Sequence, residues 1–124
     1  MSNAIFRQMR RQLMERLDFL DTKMGVSYCA YSEEFYEEML NAYAKSNTLE
    51  KIEGAYKAED WNNYRINAHA LKSTSRTIGA QIISDMAMHL ETAAKQNDIE
   101  YIHKYHEKTM KAYKELLDKL KKIL

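Results

Sequence analysis

Proline is absent from this chain, and glycine occurs only three times. The two strongest helix-breaking residues are therefore nearly missing, and long helices are expected. A single cysteine, Cys29, excludes an internal disulfide and gives no basis for a cysteine-ligated metal. It reads as a half-buried structural thiol. Neither sign of charge dominates: 19 Lys and Arg stand against 18 Asp and Glu, a net charge of +1. That is no bulk polycation for nucleic acid, which is not expected as a partner. No apolar run approaches the ~20 residues needed to cross a bilayer, and no signal-peptide core occurs. A cytoplasmic protein without stable membrane insertion is expected. Neither a Gly-rich phosphate loop nor a nucleophile elbow is found, so an independent catalytic or ATP-binding site is not expected.

What remains is rich in Lys, Glu, Ala, Leu and Met, a helix-forming composition, and 124 residues suffice for one domain with a real core. The nine tyrosines are read as core and groove residues. Ser2-Asn3-Ala4 resembles a cloning remnant, which leaves two readings open, a stand-alone protein or a piece of a longer signalling protein. Residues 1–20 are read as an N-terminal amphipathic helix. Its stripe runs through Ile5, Phe6, Met9, Leu13, Leu17 and Leu20, with Arg7, Arg10, Arg11 and Glu15 opposite. It is expected to pack on the rest of the chain; a linker to an upstream domain or a basic helix lying on a membrane surface are the alternatives.

Residues 21–124 read as a bundle. Gly25 is expected in a loop over Asp21–Val26. Ser32 should cap a helix whose apolar face is Phe35, Met39, Ala42 and Tyr43. Lys45–Thr48 should bend or restart it, and Leu49, Ile52, Ala55 and Tyr56 resume the seam. Gly54 could admit a close neighbouring helix. Asp60 should cap the next helix and Gly79 should end it. A third stripe is Ile83, Met86, Ala87, Leu90 and Ala94. Asn97-Asp98 leads into a fourth, from Ile99 through His106 and Tyr113 to Leu124. Short turns between such helices demand antiparallel neighbours. The expected fold is all-α: an antiparallel up-down four-helix bundle with an additional N-terminal helix.

The helix after Asp60 carries the informative residue. Trp61, Tyr64, Ala68, Leu71, Ser75 and Ile78 form its apolar side. At ~100° per residue, His69 points about 130° away from the middle of that stripe. Arg65, Lys72, Ser73 and Arg76 share its side at helical spacings. A neutral imidazole facing water beside cations is suited to carry a phosphoryl group covalently, with Lys72 one turn away to offset charge. An ordinary solvated face carrying a histidine is the alternative reading of the same spacing.

The segment His69-Ala70-Leu71-Lys72-Ser73 … Ile78-Gly79-Ala80 resembles the histidine phosphotransfer (HPt) domain family of two-component phosphorelays. Its pattern is His-x-Leu-Lys-Gly followed by an apolar-Gly-Ala turn. Asp60-Trp61 and Arg65 fit it upstream, as does Ala68-His69, and similarity extends more weakly from about Asp21 to the C-terminus. The resemblance implies that His69 is phosphorylated by a receiver-domain aspartate and passes the group to another receiver. It implies that Lys72 contacts the phosphate. Ser73 stands where the family most often has glycine, still small but adding a hydroxyl. Ala30-Tyr31 replaces a glycine-rich turn. Arg65 and Arg76 would dock or steer the receiver. The implied partners are response-regulator receiver domains and a hybrid sensor histidine kinase. No cofactor of its own is expected; magnesium would sit on the partner receiver. A helical adaptor that docks receivers without being phosphorylated is the alternative.

Elsewhere, Glu100, His103 and Glu107 lie at helical spacing beside His106, but form only one half of a bundle-type carboxylate–histidine unit, so no metal site is assigned. His106 reads as a core histidine, and His89 as a boundary residue.

Overall fold

Helix starts in this chain are set by short polar side chains that accept otherwise orphaned amides. Residues 2–124 are described by the computed structural model; the first residue of the expected 1–20 segment lies outside them. Asp21 caps α2 (Thr22–Tyr28) by accepting from the Met24 amide at 3.0 Å. Ser32 caps α3 (Glu33–Lys45) through the Phe35 amide at 3.1 Å. Asp60 caps α5 (Trp61–Thr77) through the Asn63 amide at 3.2 Å. Asp98 caps α7 (Ile99–Ile123) through the Tyr101 amide at 3.1 Å. α1 (Ser2–Arg16), α4 (Thr48–Lys57) and α6 (Gln81–Lys95) complete the set, and no strand occurs among the described residues.

α3 and α4 act as one interrupted rod, because Ser46 takes an extended backbone and α4 begins anew at Thr48. This rod, α5, α6 and α7 form an antiparallel up-down four-helix bundle. The Tyr43 hydroxyl meets Ser75 Oγ at 2.8 Å, and the Tyr43 and Tyr113 rings lie 5.7 Å apart, joining α3 to α5 and α7. Nearer the other end, Tyr56 stacks on His106 and contacts Trp61. Low-numbered residues of the first rod thus pair with high-numbered residues of α5 and α7, as antiparallel packing requires.

Several expectations need correction. Asp21–Val26 is not a loop, since Thr22–Tyr28 is helical. Gly25 is buried there because α2 lies against Tyr36: a Cβ at Gly25 would collide with the Tyr36 ring and come within 3.1 Å of the Ile78 carbonyl carbon. Tyr36 is held by a 2.7 Å hydrogen bond from its hydroxyl to the Ile78 carbonyl. That contact rotates α3 from its expected register. Tyr36, Leu40 and Tyr43 face the core, whereas Phe35 and Ala42 are exposed. Gly54 admits no helix, for nothing lies within 4 Å of its Cβ position.

The first half of α1 also departs from expectation. Leu17 and Leu20 are buried and Leu13 half-buried, but Ile5, Phe6 and Met9 stay exposed. The stripe continues beyond the end of the surface that could cover it. Arg10 reaches back to Glu37 at 3.2 Å. At Ala30 and Tyr31, where a glycine-rich turn was the comparison, both residues take left-handed backbones, with φ of 55° and 60°.

The α5–α6 turn positions the site. Gly79 has φ 81°, and a Cβ there would strike the Asp21 backbone. The Asp21 amide donates to the Gly79 carbonyl at 3.0 Å, and the Ala80 amide donates back to Ser75 at 2.8 Å. This closure fixes how α6 runs along α5.

The two helical glycines predict opposite outcomes. Gly54→Ala should stabilise the protein by about 1 kcal/mol, the difference in helix propensity at an open position. Gly25→Ala should destabilise it by roughly 1–3 kcal/mol, because the Tyr36 ring must move. Urea unfolding of the two variants checks both signs.

Candidate functional site

α5 presents His69 on its outer side, with the imidazole 58% exposed. α6 supplies the residue that meets it. Ser84 faces α5, donating its hydroxyl to the Lys72 carbonyl at 2.9 Å. Two turns later on the same side of α6 stands Glu91, its side chain only 4% exposed. One carboxylate oxygen, Oε2, lies 2.5 Å from His69 Nδ1, and the other, Oε1, accepts from Lys72 Nζ at 2.7 Å. Lys95 Nζ lies 3.8 Å from Oε2.

A carboxylate this buried is costly unless its oxygens find donors. Burial alone would raise the Glu91 pKa. The hydrogen bonds and charges of Lys72 and His69 outweigh that effect and hold it below the ordinary carboxylate range. Glu91 is therefore an anion near neutral pH. Because an ionised carboxylate only accepts, the Nδ1 nitrogen must carry the imidazole proton. In the neutral ring, Nε2 then keeps its lone pair. The arrangement is chemically a nucleophile held in one tautomer beside an ammonium group.

Of the residues expected on this side of α5, the fold brings together His69 and Lys72, with Glu91 between them. It does not gather the arginines there. Arg65 donates to Asn62 Oδ1 at 3.1 Å within its own helix. Arg76 turns to Tyr28, with its Nε 3.3 Å from the hydroxyl and Cζ 5.5 Å from the ring centre. Ser73 is exposed one residue past Lys72. Glu91 went unnoticed in the sequence, masked by the apolar stripe of α6. A signal was available: Glu91 lies about as far after the Gly79-Ala80 turn as His69 lies before it.

The other histidines sit elsewhere. His106 is buried, stacked on Tyr56 with ring centres 3.7 Å apart, and its Nδ1 is 2.8 Å from the Tyr64 hydroxyl. Burial pushes its pKa down to about 4. His103 Nδ1 pairs with the Tyr56 hydroxyl at 3.0 Å, and His89 is exposed. Among the described residues no group of three or more His, Cys, Asp or Glu is placed to hold a metal ion. Cys29 is fully buried, which raises its thiol pKa.

Of the exposed histidines, His69 is the one met by a buried carboxylate from a neighbouring helix. The family model of the Hpt domain matches residues 30–123, and the chain belongs to that family. Neither the comparison with curated proteins nor that with solved structures returned a match. α1 and α2 both precede the matched span. No helix among the described residues is long and apolar enough to cross a membrane.

Two groups should shape the acid response. His106 is harder to protonate folded than unfolded, so its contribution is present above pH ~6.5 and is lost as pH falls toward about 4. Over that window it should remove on the order of 3 kcal/mol. Glu91, with its depressed pKa, should remove stability at still lower pH, through the carboxylate range. His106→Asn should flatten the upper window and leave the lower one, as read by unfolding free energy against pH.

Proposed function

We propose that His69 accepts a phosphoryl group from a receiver-domain aspartate and donates it to a second receiver in a two-component phosphorelay. Membership of the Hpt family gives the general role, histidine phosphotransfer in phosphorelays. The observation that carries the assignment to His69 is the Glu91 contact, which leaves Nε2 of a solvent-facing ring free to attack. Nucleophilic attack needs that lone pair and an in-line approach, and exposure permits a second protein to supply the phosphorus. Lys72 is the residue that offsets charge on the phosphoryl oxygens, reaching them by leaving Glu91 Oε1.

Ser73 supplies a small surface beside the ring for the incoming domain. Arg76, backed by Tyr28, and Arg65, bonded to Asn62, stand apart from the His69–Lys72–Glu91 cluster and steer an acidic receiver site by charge. The divalent cation of the reaction, magnesium in this reading, belongs to the receiver. A hybrid sensor histidine kinase stands upstream in this scheme. The protein is a carrier without an ATP site of its own, and it works in the cytoplasm.

Incubation with phosphorylated receivers should transfer acid-labile label to the wild-type chain and none to His69→Gln. Lys72→Ala should slow transfer more than it weakens receiver binding. Label persisting in His69→Gln would overturn the assignment. Receiver binding and signalling output unchanged by that substitution would instead favour an adaptor that docks receivers without chemistry.

A further inference from the structure

The first half of α1 holds an apolar face that the bundle does not use. Ile5, Phe6 and Met9 are 57%, 59% and 58% exposed, whereas Leu13 and Met14 are half-buried and Leu17 is buried. α1 is thus attached through its second half, where Arg10 also bonds Glu37 of α3, and its first half extends past the surface that could cover it. This helix lies outside residues 30–123, the span that matches the Hpt family, so histidine phosphotransfer does not account for it.

Charge narrows what could cover that face. α1 carries Arg7, Arg10, Arg11 and Arg16 against one acid, Glu15, and has no acid in its first turn. It holds four of the 19 basic residues and one of the 18 acidic ones, so the rest of the chain is net acidic and α1 is the segment that an anionic surface would attract. At ~100° per residue, Ile5, Met9 and Phe6 span about 100° of one side, and Arg7 and Arg11 stand opposite. An apolar face backed by an arginine-rich polar face is the pattern of a helix that lies in a lipid–water interface.

A second copy of the chain fits the face poorly. Three side chains little more than half exposed offer roughly 300 Å², well short of the ~800 Å² per partner in a stable interface. Pairing two such helices would also set arginines against arginines. A bilayer demands neither a large area nor a matched shape. Apolar side chains enter the boundary between headgroups and acyl chains, while long arginine stems keep their guanidinium groups among the lipid phosphates.

We propose that α1 is a peripheral membrane-binding helix that lies on an anionic lipid surface, with Ile5, Phe6 and Met9 inserted and Arg7 and Arg11 facing the headgroup charge. The attachment is reversible, because three apolar side chains and a few cations amount to far less than a spanning helix. It is also separate from the phosphoryl site: α1 is tied to α3, whereas His69 and Glu91 belong to α5 and α6.

The test is flotation of the intact chain with two kinds of vesicle, phosphatidylcholine alone and an equal mixture of phosphatidylcholine and phosphatidylglycerol. The chain should float with the anionic vesicles and stay behind with the zwitterionic ones. Raising the salt to about 0.5 M should weaken flotation, because screening cuts the reach of surface charge to a few ångströms. Phe6→Ser/Met9→Ser should abolish it. Arg7→Gln/Arg11→Gln should weaken binding ~25-fold, or ~5-fold for each cation lost. All four positions are exposed, so urea unfolding of both variants should match the wild type and exclude a folding defect. The emission of a Phe6→Trp variant should shift to the blue on anionic vesicles, which separates insertion from adsorption. Absence of flotation with anionic vesicles, or equal flotation of the wild type and Phe6→Ser/Met9→Ser, would overturn the proposal. So would a dimer in sedimentation velocity that this pair of substitutions dissociates, since a second copy would then occupy the face.

Discussion

One buried carboxylate governs the histidine face of this protein. Glu91 has little access to water, and its two oxygens are satisfied by an ammonium on one side and an imidazole on the other. A hydrogen bond to a charged group contributes about 1.5–3 kcal/mol net, and less where a partner faces water, as the imidazole does here. The pair of bonds keeps the acid ionised, and the ionised acid in turn decides which ring nitrogen holds the proton. Stability and chemistry depend on the same three side chains.

That triad exists only because α5 and α6 are held in one register. Gly79 alone can take the left-handed turn while its Cα lies against the Asp21 backbone. Asp21 contributes twice, capping α2 with its side chain and bonding Gly79 with its amide. Tyr36 ties α3 to the carbonyl of Ile78, the residue just before that glycine. Gly25 makes room for the Tyr36 ring. A small polar and glycine framework, far from the imidazole in sequence, thereby sets where Glu91 meets His69.

Much of this was legible in the chain. Periodicity located the bundle helices, and the caps at Ser32, Asp60 and Asp98 were readable because each is a short polar residue preceding an apolar run. The outward direction of His69 followed from its angle to the stripe. Three features were not legible, each for a physical reason. A seven-residue helix around Gly25 is too short to show periodicity, and its glycine is explained by a ring eleven positions away. The face of α3 was misjudged because Phe35 and Tyr36 are both aromatic, and only the hydrogen bond to Ile78 favours Tyr36. Glu91 was overlooked beside an apolar stripe, because ion pairing across helices leaves no periodic mark. The exposed start of α1 shows the converse: an apolar stripe records a capacity for burial rather than burial itself.

In the function proposed for this chain, the acid, lysine and histidine form one unit whose ring is already held in the tautomer that phosphoryl exchange needs. Nitrogen-15 NMR of the uniformly labelled, unphosphorylated protein tests this most directly, because the two imidazole nitrogens report separately on protonation. At a pH where His69 is neutral, the account predicts a protonated Nδ1 and an unprotonated Nε2. A ring found mainly with its proton on Nε2, or as an even mixture of tautomers, would contradict it.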